Sequence, residues 1–111
     1  MTVSELAEAL GLETLYAGEE PDREITGCYC GDLLSWVMGR AQAGDVWITI
    51  MSNVNVAAVA ALADVACVIL AEGVEPDEPL KERFSKLDAA VFRSTAPIYE
   101  LAWKVHEAAD L

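Results

Sequence analysis

Residues 46–70 read VWITIMSNVNVAAVAALADVACVIL, and this stretch decides the fold. Val46–Met51 is a β-branched run carrying Trp47, the composition of a strand. Ser52 and Asn53 break it with residue types that favour turns and helix N-caps. Val56, Val59, Ala60 and Ala63 then recur at helical spacing, and Asp64 ends the pattern. Val65–Leu70 is apolar at every position, as a central parallel strand covered on both faces would be. Strand, helix and strand make a βαβ unit. The apolar stretch Val54–Ala71 approaches the length of a membrane span, but Asn55 and Asp64 interrupt it, so a helix followed by a strand explains it better.

The same rhythm extends in both directions. Upstream, Ile25–Cys30 reads as a strand, with Gly31-Asp32 supplying an N-cap for a helix over Leu33–Arg40. Downstream, Pro79 suits the first turn of a helix whose inner face is Leu80, Phe84 and Leu87. Ala89–Phe92 is the last strand, and Pro97 opens a helix that turns Ile98, Leu101, Ala102 and Val105 inward. At the start, Thr2-Val3-Ser4-Glu5 fits a capping box, with Val3, Leu6, Ala7 and Leu10 at helical spacing and Gly11 as the stop. Thr14–Ala17 is a short strand, and Gly18–Asp22 an acidic loop. The expected fold class is α/β: residues 1–111 form one layered domain with a mostly parallel sheet of about five strands flanked by helices. Right-handed crossovers would bring the strand C-termini to one rim. That rim collects Gly31, Asp32, Ser52, Asn53, Asn55, Glu72, Gly73, Ser94 and Thr95.

Composition narrows the function classes. The chain has 111 residues, of which 54% are apolar, with 19 acidic and 7 basic side chains and a net charge of −12. Such a field repels nucleic acid and anionic membranes, and no basic stripe offsets it. The N-terminal segment lacks the basic and apolar regions of a signal peptide, so a cytoplasmic protein is expected. Leu33, Leu34, Trp36, Val37 and Met38 make the second helix apolar on more than one face. A helix of that kind is buried on both sides, and in so small a domain this points to a homodimer.

No catalytic constellation is present, and neither is a Walker-type loop or a dinucleotide Gly-rich turn. His106 is the sole histidine and has no nucleophile near it in sequence. The most site-like residues are Ser52, Asn53 and Asn55, whose hydroxyl and amide groups beside helix amides suit a phosphate, ribose or carboxylate. Capping and turn geometry account for part of that cluster equally well. Glu72 and Gly73 extend the crevice, with a strand-end turn as the plainer account. Arg23 is either an anion contact or half of a surface ion pair. Cys28 and Cys30 face the same side of a strand and, with Cys67, raise the alternative of a metal or redox accessory protein. Buried small-residue cysteines are the simpler account.

The stretches Asp22-Arg23-Glu24-Ile25-Thr26-Gly27, Gly44–Ile50, Val68–Leu70 and Gly73-Val74-Glu75-Pro76 resemble the DRTGG domain family, an α/β fold related to the N-terminal domain of HPr kinase/phosphorylase. The resemblance implies a bacterial regulatory domain that dimerises, of the kind that accompanies CBS domains in regulated pyrophosphatases. Small stand-alone relatives imply a loose association with hydrogenase-type redox systems. The chain departs at the name-giving residues: Met51-Ser52-Asn53 stands where the family has Gly-Asp-Arg, and Ala71-Glu72-Gly73 where it has Thr-Gly-Gly. The phosphate-clamping Arg is therefore missing. The combined expectation is a non-catalytic regulatory or adaptor homodimer without a cofactor or metal. It would sense a small nucleotide-like ligand through Ser52, Asn53, Asn55, Glu72, Gly73 and Arg23.

Overall fold

In the computed structural model, which describes residues 1–111, the quoted stretch folds as the centre of a parallel sheet. Its first strand, β3 (Asp45–Thr49), pairs in parallel with β4 (Cys67–Leu70), matching Val46 to Cys67 and Thr49 to Leu70. Every residue of both strands is buried, which is why neither shows polar alternation. On one side β3 pairs with β2 (Gly27–Cys30), and on the other β4 pairs with β5 (Ala90–Arg93), both in parallel. The short β1 (Glu13–Tyr16) adds antiparallel to β5, giving the order β1-β5-β4-β3-β2. The five-stranded, mostly parallel α/β architecture is the one expected.

Four parallel strands in sequential order leave one arrangement for right-handed crossovers: all intervening helices on the same face. The packing agrees. Helices α2 (Leu34–Arg40), α3 (Asn55–Ala63) and α4 (Glu78–Arg83), the last continued by a 3-10 turn over Phe84–Lys86, share one core. Val37, Val56, Ala60, Leu80 and Phe84 meet Trp47, Val68, Leu70 and Val91 there. The other sheet face presents Val46, Ile48, Cys67, Ile69 and Phe92. It is covered by α1 (Val3–Leu10) and α5 (Ile98–Ala108) through Val3, Leu6, Leu101 and Val105. The strand period of two thus assigns alternate residues to the two cores.

The ends of the elements show where side chains override local pattern. The capping box of α1 forms as expected, with Glu5 N donating to Thr2 Oγ1 at 3.3 Å and Thr2 N to Glu5 Oε1 at 2.9 Å. Asp32 does not cap α2, whose N-cap, Leu33, makes no side-chain bond. Asp32 Oδ1 instead accepts from Thr49 Oγ1 at 2.8 Å and from Ile50 N at 2.9 Å. Together with the bond from Met51 N to Thr49 Oγ1, this ends β3 two residues before the apolar run does. Asn53 Oδ1 accepts from Asn55 N at 2.9 Å in an Asx turn just ahead of α3, whose N-cap, Val54, makes no side-chain bond. Pro97 is the N-cap of α5 and lies outside its first turn.

Two glycines with positive φ provide a clean contrast. Gly18 has φ +73°, and a Cβ there would lie 2.7 Å from both Ala90 N and Asp88 O; Gly11 has φ +62° and open space around it. Gly11→Ala should therefore cost only left-handed backbone strain, about 1–2 kcal/mol. Gly18→Ala adds a backbone clash and should cost about 1–3 kcal/mol more. Urea denaturation of the two variants checks the order, and equal losses would contradict it.

Candidate functional site

Parallel register places the C-terminal ends of β2, β3, β4 and β5 along one rim, as the sequence suggested. Asp32, Ser52, Asn53, Glu72, Gly73, Ser94 and Thr95 all follow those ends. In open parallel sheets a ligand crevice forms where neighbouring strands send their chains to opposite faces. Here that happens between β4, which leads to α4 on one face, and β5, which leads to α5 on the other.

The two loops close over this point. Gly73 N donates to Ser94 O at 2.9 Å, and Glu72 N to Ala96 O at 3.0 Å. Arg93 binds Val74 O through Nε at 3.1 Å and Gly73 O through Nη2 at 2.8 Å. Its guanidinium also pairs with Glu13 and Glu75. Glu72 itself sits at φ +58° with its carboxylate 3.5 Å from Ile98 N at the start of α5. None of the concavities on the molecule is lined by Ser52, Asn53, Glu72 or Gly73. Ser52 is tied through its carbonyl, which accepts from Asp77 N at 2.9 Å.

Arg23 is not brought to this rim. It lies ahead of β2, and its Nη1 donates to Asp64 Oδ1 at 2.8 Å while Nη2 donates to Asp64 O at 2.9 Å, with Glu20 also within ion-pair range. The bond to Arg23 holds the Asp64 carboxyl below its usual value. Around the pair is an open acidic basin of about 530 Å³, lined by Glu19, Glu20, Pro21, Asp22, Arg23 and Asp64. The structure thus gives Arg23 the ion pair anticipated as its alternative role.

Asn55 follows the rim residue Asn53, whose Oδ1 accepts from its backbone amide. Its exposed side chain lines a groove of about 300 Å³ between α3 and the α4/3-10 segment, opposite Arg83 and Lys86. Neither basic residue stood out in the sequence, because the feature that distinguishes them is the lack of a carboxylate partner, a tertiary property. Arg93 was missed for the opposite reason: its partners lie as far away in sequence as Glu13.

The three cysteines do not form one cluster. Cys28 aligns with Val46 and Val46 with Cys67, so a strand separates the two sulfurs on their shared face. No group of three His, Cys, Asp or Glu side chains is arranged to hold a metal ion. Cys28 and Cys30 act on one another's titration: the neighbouring thiol raises Cys28, which burial raises further, and holds the exposed Cys30 below the usual thiol range. Burial alone pushes Cys67 up to about 12. His106 is exposed on α5.

Comparison with known proteins comes down to shape. No family model and no curated protein matches the chain. Among solved structures, the chain is similar to the CBS and DRTGG domains of the regulatory region of a Clostridium perfringens pyrophosphatase, complexed with its activator diadenosine tetraphosphate. The TM-score is 0.69 at 14% identity, over 96% of this chain and 46% of the other. The chain therefore spans under half the length of that relative and shares its fold at a sequence distance where side chains have diverged.

Thiol chemistry tests the cysteine geometry. In the native protein Cys30 should react with a disulfide reagent first and Cys67 only after unfolding. Because the folded state keeps the Cys67 proton that the unfolded chain releases above its ordinary value of 9.0, this group's contribution is complete below that pH and is lost as pH rises toward about 12. Melting temperatures across that alkaline window should decline less steeply for Cys67→Ala than for the wild type.

Proposed function

We propose that the chain is a non-catalytic regulatory or adaptor module that acts as a cytoplasmic homodimer and senses a small nucleotide-like ligand. The observation that carries the reading is an uncovered apolar surface at the β2 edge of the sheet. Of α2 only Val37 is buried, while Leu33 and Trp36 remain 58% and 52% exposed, and Met38 is exposed as well. Ile50, also exposed, follows β3, and its amide binds Asp32, the residue before Leu33. Arg40 lies 3.7 Å above the Trp36 ring. Exposed Trp, Met and Arg around a leucine are the residue types enriched in protein interfaces. The adjacent β2 is an edge strand, which adds unpaired backbone groups to the same side.

The regulatory part of the proposal is supported by the fold shared with a pyrophosphatase regulatory region. Ser52, Asn53, Glu72 and Gly73 carry the proposed rim crevice; Asn55 adjoins Asn53, and Arg23 lines a separate basin. No helix is long and apolar enough to cross a membrane. A second reading, a soft-metal or redox accessory role, is favoured only by the Cys28–Cys30 pair; metal analysis of anaerobically purified protein tests it.

Analytical ultracentrifugation at micromolar concentration should give a dimer. Leu33→Asp with Trp36→Glu should give a monomer whose circular dichroism and melting cooperativity are unchanged. A wild-type monomer overturns the dimer. For the ligand, an adenine nucleotide at about a hundredfold excess over its Kd would add about 2.7 kcal/mol. That raises the melting temperature by several degrees in a domain of this size. No shift with any adenine nucleotide removes the sensing half and leaves an interaction module.

A further inference from the structure

The distribution of positive charge points to a site away from the rim. The chain has seven basic side chains against nineteen acidic ones. Five are engaged: Arg23 with Asp64 and Glu20, Lys81 with Glu78, Arg93 with Glu13 and Glu75, Lys104 with Glu100, and Arg40 over the Trp36 ring. The remaining two, Arg83 and Lys86, make no ion pair and no hydrogen bond, and both line the groove of about 300 Å³ against α3. They stand three residues apart on the α4/3-10 segment, close enough to repel one another. In so acidic a molecule, two cations without an ion-pair partner that face one concavity are the side chains available to meet an anion there.

The rest of the lining fits a small ligand with one anionic end. Ala57, Ala58 and Ala61 present methyl groups only, leaving a shallow apolar floor, and Asn55 brings an amide that can donate and accept. Asp64 and Asp88 lie with Lys86 around a narrower neighbouring cleft, and neither lines the groove itself. We propose that this groove binds the phosphate ester of a small metabolite. Arg83 grips the phosphate in its planar fork, Lys86 adds a point charge, Asn55 contacts the adjoining polar group, and the alanine floor carries the organic part. A volume at the lower end of known ligand sites suits a mononucleotide or sugar phosphate. The proposal rests on the sensing half of the reading above, and moves its ligand from the rim to the face beneath α3 and α4.

Two-dimensional amide NMR with AMP, inorganic phosphate and adenosine as probes tests it in low-salt buffer. AMP should shift the resonances of Val54–Ala61 and Arg83–Leu87, inorganic phosphate should compete, and adenosine should bind far more weakly. Arg83→Gln and Lys86→Gln should each weaken AMP by about tenfold, the loss expected for one charge-assisted contact. Lys104→Gln, on α5 and paired with Glu100, should leave affinity unchanged. If AMP and phosphate leave the groove resonances in place at millimolar concentration, the proposal is overturned. It is equally overturned if AMP moves instead the amides of Ser52, Asn53, Glu72 and Gly73 and binds the Arg83→Gln variant as tightly, a result that would preserve nucleotide sensing at the rim.

Discussion

The handedness of the crossovers is the constraint on which this structure depends. Four parallel strands taken in sequential order, each joined right-handedly to the next, put every intervening helix on the same face of the sheet. The opposite face, with Val46, Ile48, Ile69 and Phe92, is then bare unless elements from outside the βαβ series cover it. Helices α1 and α5 supply that cover from the two ends of the chain. Backbone bonds draw the N-terminal segment against the strand beginning at Gly27, through Ile25 N to Met1 O and Val3 N to Arg23 O. The terminal helices are thus structural necessities, since without them the apolar side chains of the central strands would face water.

The same topology creates a switch point between β4 and β5, and the chain fills it with its own polar groups. Arg93 gathers the carbonyls of Gly73 and Val74, and the two loops exchange backbone bonds. At β3, Asp32 and Thr49 similarly satisfy the amides of Ile50 and Met51. Buried or half-buried backbone groups at strand ends must be paired, and when side chains do it their donors and acceptors are spent. Several polar side chains at this rim are used in that way. The Asn55 side chain, two residues beyond Asn53, makes no hydrogen bond and is exposed.

Electrostatics sort the surface in a related way. Most cations are consumed by nearby carboxylates, as expected when acids outnumber bases. These exposed pairs contribute little stability individually, and they remove positive potential from most of the surface. The two cations without a partner, Arg83 and Lys86, line the groove beside α3. The apolar surface at α2 follows a comparable logic: Leu33, Trp36 and Met38 are among the large side chains left exposed outside both cores, and they fall within one short stretch of chain.

Pattern and composition were sufficient for the elements because each depends on neighbours in the chain. The β-branched run at Val46, the helical stripe from Val56 to Ala63 and the Thr2–Glu5 box are all local statements about period and capping. Chain handedness then converted them into a parallel sheet with a shared rim. The roles of individual polar residues were decided by tertiary structure alone. Asp32 and Asn53 both read as helix caps, yet one serves a strand beside it and the other a turn; Arg23, grouped in the sequence with the rim, ends up paired with Asp64 in a separate basin. The physical reason is that a side chain's function depends on which groups reach within about 3 Å of it. The farthest partners of Arg23 and Arg93 are 41 and 80 residues distant along the chain, beyond anything that local spacing encodes.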